Sequence, residues 1–281
     1  MILTGHTGGV TSLAVLSDGS LASGSHDNTI RIWDLNNGHI KNSLLDHTAL
    51  IDFLEVLPDG TLASASFDNT IRIWNTTTGV IIRTLTGHSN YVRVLAVFSD
   101  DLLTSGSEDQ TICIWDVKNG LKIKTLTGHT KSVISLVGLS NDSLASGSFD
   151  KTIRIWSVNS GETIRILTGH TEVVYFLVVL NDGLFASSSP DKSIRIWDVS
   201  NEQSVKTLIG HESDALAALP NGFLASGEFD GTIRIWDVGK EKTVKTLTGH
   251  TSGIMSIVVL PDGSLVSGSH DKTIRIWNLN S

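Results

Sequence analysis

Cysteine is almost missing from this chain: Cys113 is the only one in 281 residues. That excludes an internal disulfide framework and suits a reducing compartment. Proline is scarce, 4 residues against 26 glycines, so chain reversals fall to Gly, Asn and Asp. No apolar run approaches the length of a membrane span. The opening Met1-Ile2-Leu3-Thr4-Gly5-His6 has neither the basic nor the apolar region of a signal peptide. Basic residues are outnumbered, 21 Lys and Arg against 29 Asp and Glu, and form no stripe. Phosphate backbones demand clustered cations, so nucleic acid is not an expected partner. Glycine-rich phosphate loops and metal-ligand motifs are also wanting, so no cofactor, no metal and no catalytic activity is expected. What remains is a globular, cytoplasmic protein with no membrane partner: 40% of residues are hydrophobic and 18% charged, outside the disordered range.

What the chain has in abundance is repetition. Trp33, Trp74, Trp115, Trp156, Trp197, Trp236 and Trp277 recur every 41 residues, except for a 39-residue step between Trp197 and Trp236. His6, His47, His88, His129, His170, His211 and His250 keep the same beat. Such a period belongs to propeller blades of four strands. Residues 129–169 show how one blade is written. Val133 to Leu139 is nearly all apolar, as a strand covered on both faces requires. Ser140-Asn141-Asp142 is a turn cluster. Ser143 to Ser148 is a second strand closed by Asp150-Lys151, Thr152 to Trp156 a β-branched third, and Thr163 to Leu167 a fourth, after Asn159-Ser160-Gly161.

Length alone would allow two domains, but the repeat predicts one all-β domain over 1–281. It is a single seven-bladed β-propeller with four antiparallel strands per blade. No such sheet can bury both faces alone, whereas seven stacked around an axis can. The chain opens with the end of a fourth strand, Met1 to Thr4, and stops at Asn280-Ser281 after a third. The N-terminal strand is therefore expected to join the C-terminal blade and close the ring. Lys122, Lys124, Lys206, Lys242 and Lys245 fall on the outer strands, where charge discourages edge-to-edge pairing.

With Gly-His near each repeat start, Asp in the second hairpin and Trp-Asp at Trp33-Asp34, Trp115-Asp116, Trp197-Asp198 and Trp236-Asp237, the chain resembles the WD-repeat family over essentially its whole length. Trp74-Asn75, Trp156-Ser157 and Trp277-Asn278 depart from the dipeptide. The resemblance implies a buried tetrad bracing each blade: His6, Ser23, Asp27 and Trp33 in the first, His88, Ser105, Asp109 and Trp115 in the third, His129, Ser146, Asp150 and Trp156 in the fourth. Indole would donate to hydroxyl, hydroxyl to imidazole and imidazole to carboxylate. Seven copies of Ser, His and Asp at blade spacing describe a cross-brace, not a hydrolase triad.

The resemblance also implies that partners use one rim, built near the start of the inner strand and at the second hairpin. Three columns map there: three and five residues after the His, and the residue before the hairpin Asp. They give Gly9, Thr11 and His26; Leu50, Asp52 and Phe67; Tyr91, Arg93 and Glu108; Ser132, Ile134 and Phe149; Val173, Tyr175 and Pro190; Asp214, Leu216 and Phe229; Gly253, Met255 and His270. Both tyrosines and three of eight phenylalanines fall in these columns, the enrichment a protein-binding patch needs. Arg93 is the only cation among them, against a phosphate-reading arginine cluster. His26 and His270 share a column on blades that meet when the ring closes, but lie too far apart by this reading to share an ion. Repeat six is two residues short somewhere in 212–219. The recurring Arg31, Arg72, Arg154, Arg195, Arg234 and Arg275 read as stem packing, and Cys113, which replaces that arginine in repeat three, as inert. The expected function is a non-enzymatic, monomeric scaffold binding a protein or peptide on this rim. A second reading makes the propeller the regulatory end of a longer signalling or ubiquitin-ligase-type chain.

Overall fold

The computed structural model describes residues 1–99, 101–139, 142–180, 183–200, 203–210 and 212–279. His211, the Ser140-Asn141 turn and Asn280-Ser281 lie outside them. The described strands form seven four-stranded antiparallel sheets, each a meander running outward from the ring's axis, and no α-helix appears among the described residues. Blade one is Val10–Val15, Leu21–Ser25, Ile30–Trp33 and Ile40–Leu44. Blade four is Val133–Gly138, Ser143–Ser148, Ile153–Ser157 and Thr163–Leu167. Blade seven takes Ile254–Val259, Leu265–Ser269 and Ile274–Trp277 from the end of the chain. Its fourth strand is Ile2–Leu3, with Ile2 opposite Arg275 and Leu3 opposite Ile274.

Residue size explains the order of strands from axis to edge. The second strand of blade one, Leu-Ala-Ser-Gly-Ser at 21–25, is buried at every position, because small side chains let neighbouring blades close on both faces. The third strand, Ile-Arg-Ile-Trp, carries β-branched residues suited to a pleated surface and buries the indole. The outer strand alternates, as in Thr163–Leu167, where Ile164 and Ile166 are exposed and Leu167 is buried.

Outer-strand lysines do more than charge an edge. Lys124 Nζ donates to the carbonyls of Val158 (3.1 Å) and Asn159 (2.6 Å), Lys206 Nζ to Val238 (3.0 Å) and Lys245 Nζ to Leu279 (3.0 Å). Each therefore ties its blade to the last turn of the next.

Blade-to-blade contact is set by one small residue on the second strand. A Cβ at Gly227 would lie 2.5 Å from Ile254 Cγ2 of blade seven, and one at Gly24 would lie 2.6 Å from Ile51 Cγ2 of blade two. In blade two the equivalent residue is Ala65, clustered with the shorter Val92. Gly227→Ala is accordingly expected to cost about 1–3 kcal/mol by overpacking. Urea unfolding of the variant and the parent measures the loss directly. An unchanged midpoint would refute the close approach.

Among the described residues no helix is long and apolar enough to cross a membrane.

Candidate functional site

Each described cross-brace is a chain of short hydrogen bonds. Trp33 Nε1 donates to Ser23 Oγ at 2.7 Å, Ser23 Oγ lies 2.7 Å from His6 Nε2, and His6 Nδ1 lies 2.9 Å from Asp27 Oδ2. His88, Ser105, Asp109 and Trp115 repeat the arrangement, as do His129, Ser146, Asp150 and Trp156. A hydroxyl that accepts from the indole must give its own proton to Nε2, which leaves Nδ1–H to face the carboxylate. Burial pushes the Asp27 carboxyl up, but donors from His6, Thr29 and the Thr7 amide outweigh it and hold it well below the usual range. Ser23, Ser105 and Ser146 are fully buried, out of reach of any substrate.

The surrounding columns are packing devices. The Arg154 guanidinium lies 5.8 Å from the Trp156 ring centroid. Cys113 is buried, with its sulfur 3.8 Å from both His88 Nδ1 and Thr125 Oγ1.

The mouth of the central channel is organised by a recurring β-bulge. Register shifts by one residue at Thr11, Asp52, Arg93, Ile134, Asp214 and Met255, each at the start of an inner strand. A bulge inserts an unpaired residue and re-aims the side chains around it. The bulged residues, with Tyr175 of blade five, line one cavity of about 280 Å³ at the mouth, joined there by Phe149, Phe229 and His270.

The rim columns hold two aromatic groups. Phe67 and Tyr91 stack at 4.3 Å, and the Arg93 guanidinium lies 4.9 Å over the Phe67 ring. Tyr175 stands 6.3 Å from both Phe149 and Phe229. Tyr91 and Phe229 are the most open, at 39% and 42% exposure. Arg93, the one cation of the rim columns, is paired inside the molecule: its Nε lies 2.8 Å from Asp52 Oδ2 and its Nη1 3.1 Å from Glu108 Oε1. Asp52 comes from the neighbouring blade, a contact no spacing along one repeat displays. Burial raises the Asp52 carboxyl to about 6 despite Arg93. Leu50 and Val173 are half-buried and lie outside the cavity lining.

Three expectations need correction. Leu216 is not on the rim. It pairs with Ser226 as Leu13 pairs with Ser23, and it is buried in the core. The two missing residues of repeat six therefore lie before its inner strand, which begins at Ser213. This moves Asp214 into the bulge column and puts Glu212, whose carbonyl accepts from Phe229 N, level with Gly9. His26 and His270 are not far apart: their ring centroids are 5.4 Å apart across the junction of blades one and seven. Burial and the neighbouring His270 lower the His26 imidazole. Among the described residues no cluster of three or more His, Cys, Asp or Glu could hold a metal ion.

Strict alternation also hid a second layer. The residue after the bulged column lines the mouth cavity as Ser12, Phe53, Phe176 and Ser256, so Phe53 and Phe176 are the bulky rings of a column that Val94, Ser135 and Ala215 complete. Phe53 and Phe176 border both the mouth cavity and a deeper one of about 290 Å³. In that deeper space Glu55 is the one carboxylate in a wall of Ala14, Val15, Leu54, Val56, Ile257 and Val258. Burial raises its carboxyl to about 7, and the Val97 amide donates to it at 3.4 Å.

Blade six is rewired. Glu228 occupies the place of Ser25, and Ser226 Oγ gives its proton to Glu228 Oε1 at 2.6 Å while still accepting from Trp236 Nε1. Burial raises Glu228 to about 7. Asp214 is likewise raised to about 7, by burial and then by the charges of Glu212 and Glu228. Burial and the charge of Asp214 in turn raise the Tyr175 hydroxyl.

Comparison with protein families finds seven matches to the family described as WD domain, G-beta repeat, at residues 1–34, 38–75, 79–116, 120–157, 161–198, 202–237 and 241–278. Comparison with curated proteins returns no match.

Proposed function

We propose that this chain, which belongs to the WD-repeat family, is a non-catalytic scaffold that seats a segment of a partner protein on the mouth of its channel. The family is one whose propellers generally serve protein–protein interaction. The observation that carries the finer reading is the convergence of Tyr91, Phe67, Phe149, Tyr175 and Phe229 on one open end. Rigid aromatic rings around a concave centre supply large contact area at little entropic cost. The whole of 1–281 acts as one domain in this reading, a monomer working in the cytoplasm with its single thiol buried. Nucleic acid and membranes fall outside it, since the mouth's one arginine is already neutralised by two carboxylates.

The test is a triple variant, Tyr91→Ala/Phe149→Ala/Phe229→Ala, compared with the parent protein in affinity capture from lysate. These side chains are half-buried or exposed, so the unfolding midpoint should move little. Partner recovery should fall at least about tenfold, as truncation of buried aromatic anchors does. An unchanged set of captured proteins would reject the mouth as the binding site.

A further inference from the structure

Among the described residues lining the mouth cavity, Asp214 is the carboxylate without a counter-charge. Its Oδ1 is sealed from water and accepts no hydrogen bond. Among the described residues no cation lies within ion-pair distance of it, and the charges that act on it, Glu212 and Glu228, share its sign. Asp52, the other carboxylate lining the cavity, is matched by Arg93, which also takes Glu108. The cavity thus holds one more carboxylate than its own cations balance. Its walls on the Asp214 side are rings: Tyr175 between Phe149 and Phe229.

A buried carboxylate without a partner is costly, and a cation brought to it relieves the cost. Aromatic faces attract the same charge. An anionic ligand would instead meet Asp214 unscreened and find Arg93 already committed. From this geometry we infer that the mouth cavity receives a lysine or arginine side chain of the partner segment. Asp214 is its counter-ion, and Tyr175, Phe149 and Phe229 pack along its stem and head.

The inference rests on the scaffold reading, so its test uses no partner protein. The chain has two methionines, Met1 and Met255, and only Met255 lines the cavity. Methyl-labelled methionine therefore yields an NMR signal at the site and a control signal away from it. The probes are the N-acetyl methylamides of lysine, arginine and norleucine, the last keeping an apolar stem without the charge. Lysine or arginine should shift the Met255 methyl saturably at millimolar concentration and leave Met1 unmoved, and the two arms separate ammonium from guanidinium. Norleucine should bind at least about tenfold more weakly, the value of a charge-assisted bond. Asp214→Asn, which removes an uncompensated buried charge and should fold, should weaken the cationic probe by a similar factor.

The inference is overturned if neither cationic probe shifts Met255 saturably, if norleucine matches them, or if Asp214→Asn binds as the parent does. Should that happen while the aromatic triple variant still loses its partners, the scaffold survives and the cation site falls. The reverse pattern would leave a cation site on a mouth that is not the docking surface.

Discussion

Asp150→Ala is expected to destabilise the fold by about 3–5 kcal/mol, read as a lower urea midpoint with an unchanged slope. The carboxylate accepts four bonds: from His129 Nδ1 at 2.7 Å, the Thr130 amide at 3.1 Å, the Thr152 amide at 3.0 Å and the Thr152 hydroxyl at 2.6 Å. Burial pushes it up, yet these donors hold it well below the usual carboxylate range, so the ionised form is strongly favoured in place. Truncation strands the buried His129 Nδ1–H and loosens the hairpin that Thr152 closes, while Ser146 and Trp156 lose the end of their relay. Asp59 of blade two provides the contrast. It is exposed and closes its own hairpin by accepting from the Thr61 amide at 2.9 Å and the Thr61 hydroxyl at 2.6 Å. Asp59→Ala should therefore cost well under half as much. Equal losses at the two positions would show that the brace contributes no more than its hairpin turn does.

Those two aspartates also mark how far the fold could be read from residues alone. The strands of blade four, Ser143–Ser148 and Thr163–Leu167, fall where the local pattern puts them, because small, β-branched and turn residues act over a few positions and are repeated seven times. The site was less legible. Column counting found Asp52, Arg93, Ile134, Phe149, Tyr175, Phe229, Met255 and His270, all of which line the mouth. It missed Phe53 and Phe176, because a bulge is a property of backbone register. Thr, Asp, Arg, Ile and Met all occupy the bulged place, so no residue type announces it. The useful signal was a bulky ring in a column of small residues, one position further along. Relations between blades were the least visible. The ion pair of Arg93 with Asp52 and the approach of His26 to His270 depend on how successive sheets turn about the axis, which no single repeat encodes. Leu216 was misplaced because counting from the His assumed a loop of constant length; pairing with Ser226 sets the register instead.

Glu55→Gln is the second large effect, and its signature is a dependence on pH. The group is an acid whose folded-state value, about 7, stands above its ordinary 4.5. As pH rises, the unfolded chain loses this proton first, so the stabilising contribution of the protonated carboxyl is complete below about 4.5 and has gone once pH passes about 7. At pH 5 the folded protein holds Glu55 neutral, and glutamine, which keeps the acceptor for the Val97 amide, should change stability little. At pH 8 the parent carries a charge against Val15, Leu54 and Val258, and the variant should be more stable by about 1–3 kcal/mol. Taking the difference between variant and parent at each pH removes other titrations. His47, His170 and His250, which burial lowers despite their aspartates, contribute equally to both proteins. Asp27, Asp68, Asp109, Asp150, Asp191 and Asp271, whose carboxyls hydrogen bonds hold low, likewise contribute equally to both. Urea midpoints at the two pH values measure the effect directly. A gain of the same size at pH 5 and pH 8 would mean that Glu55 titrates as an ordinary solvated carboxylate and that the deeper channel is wet enough to keep its charge.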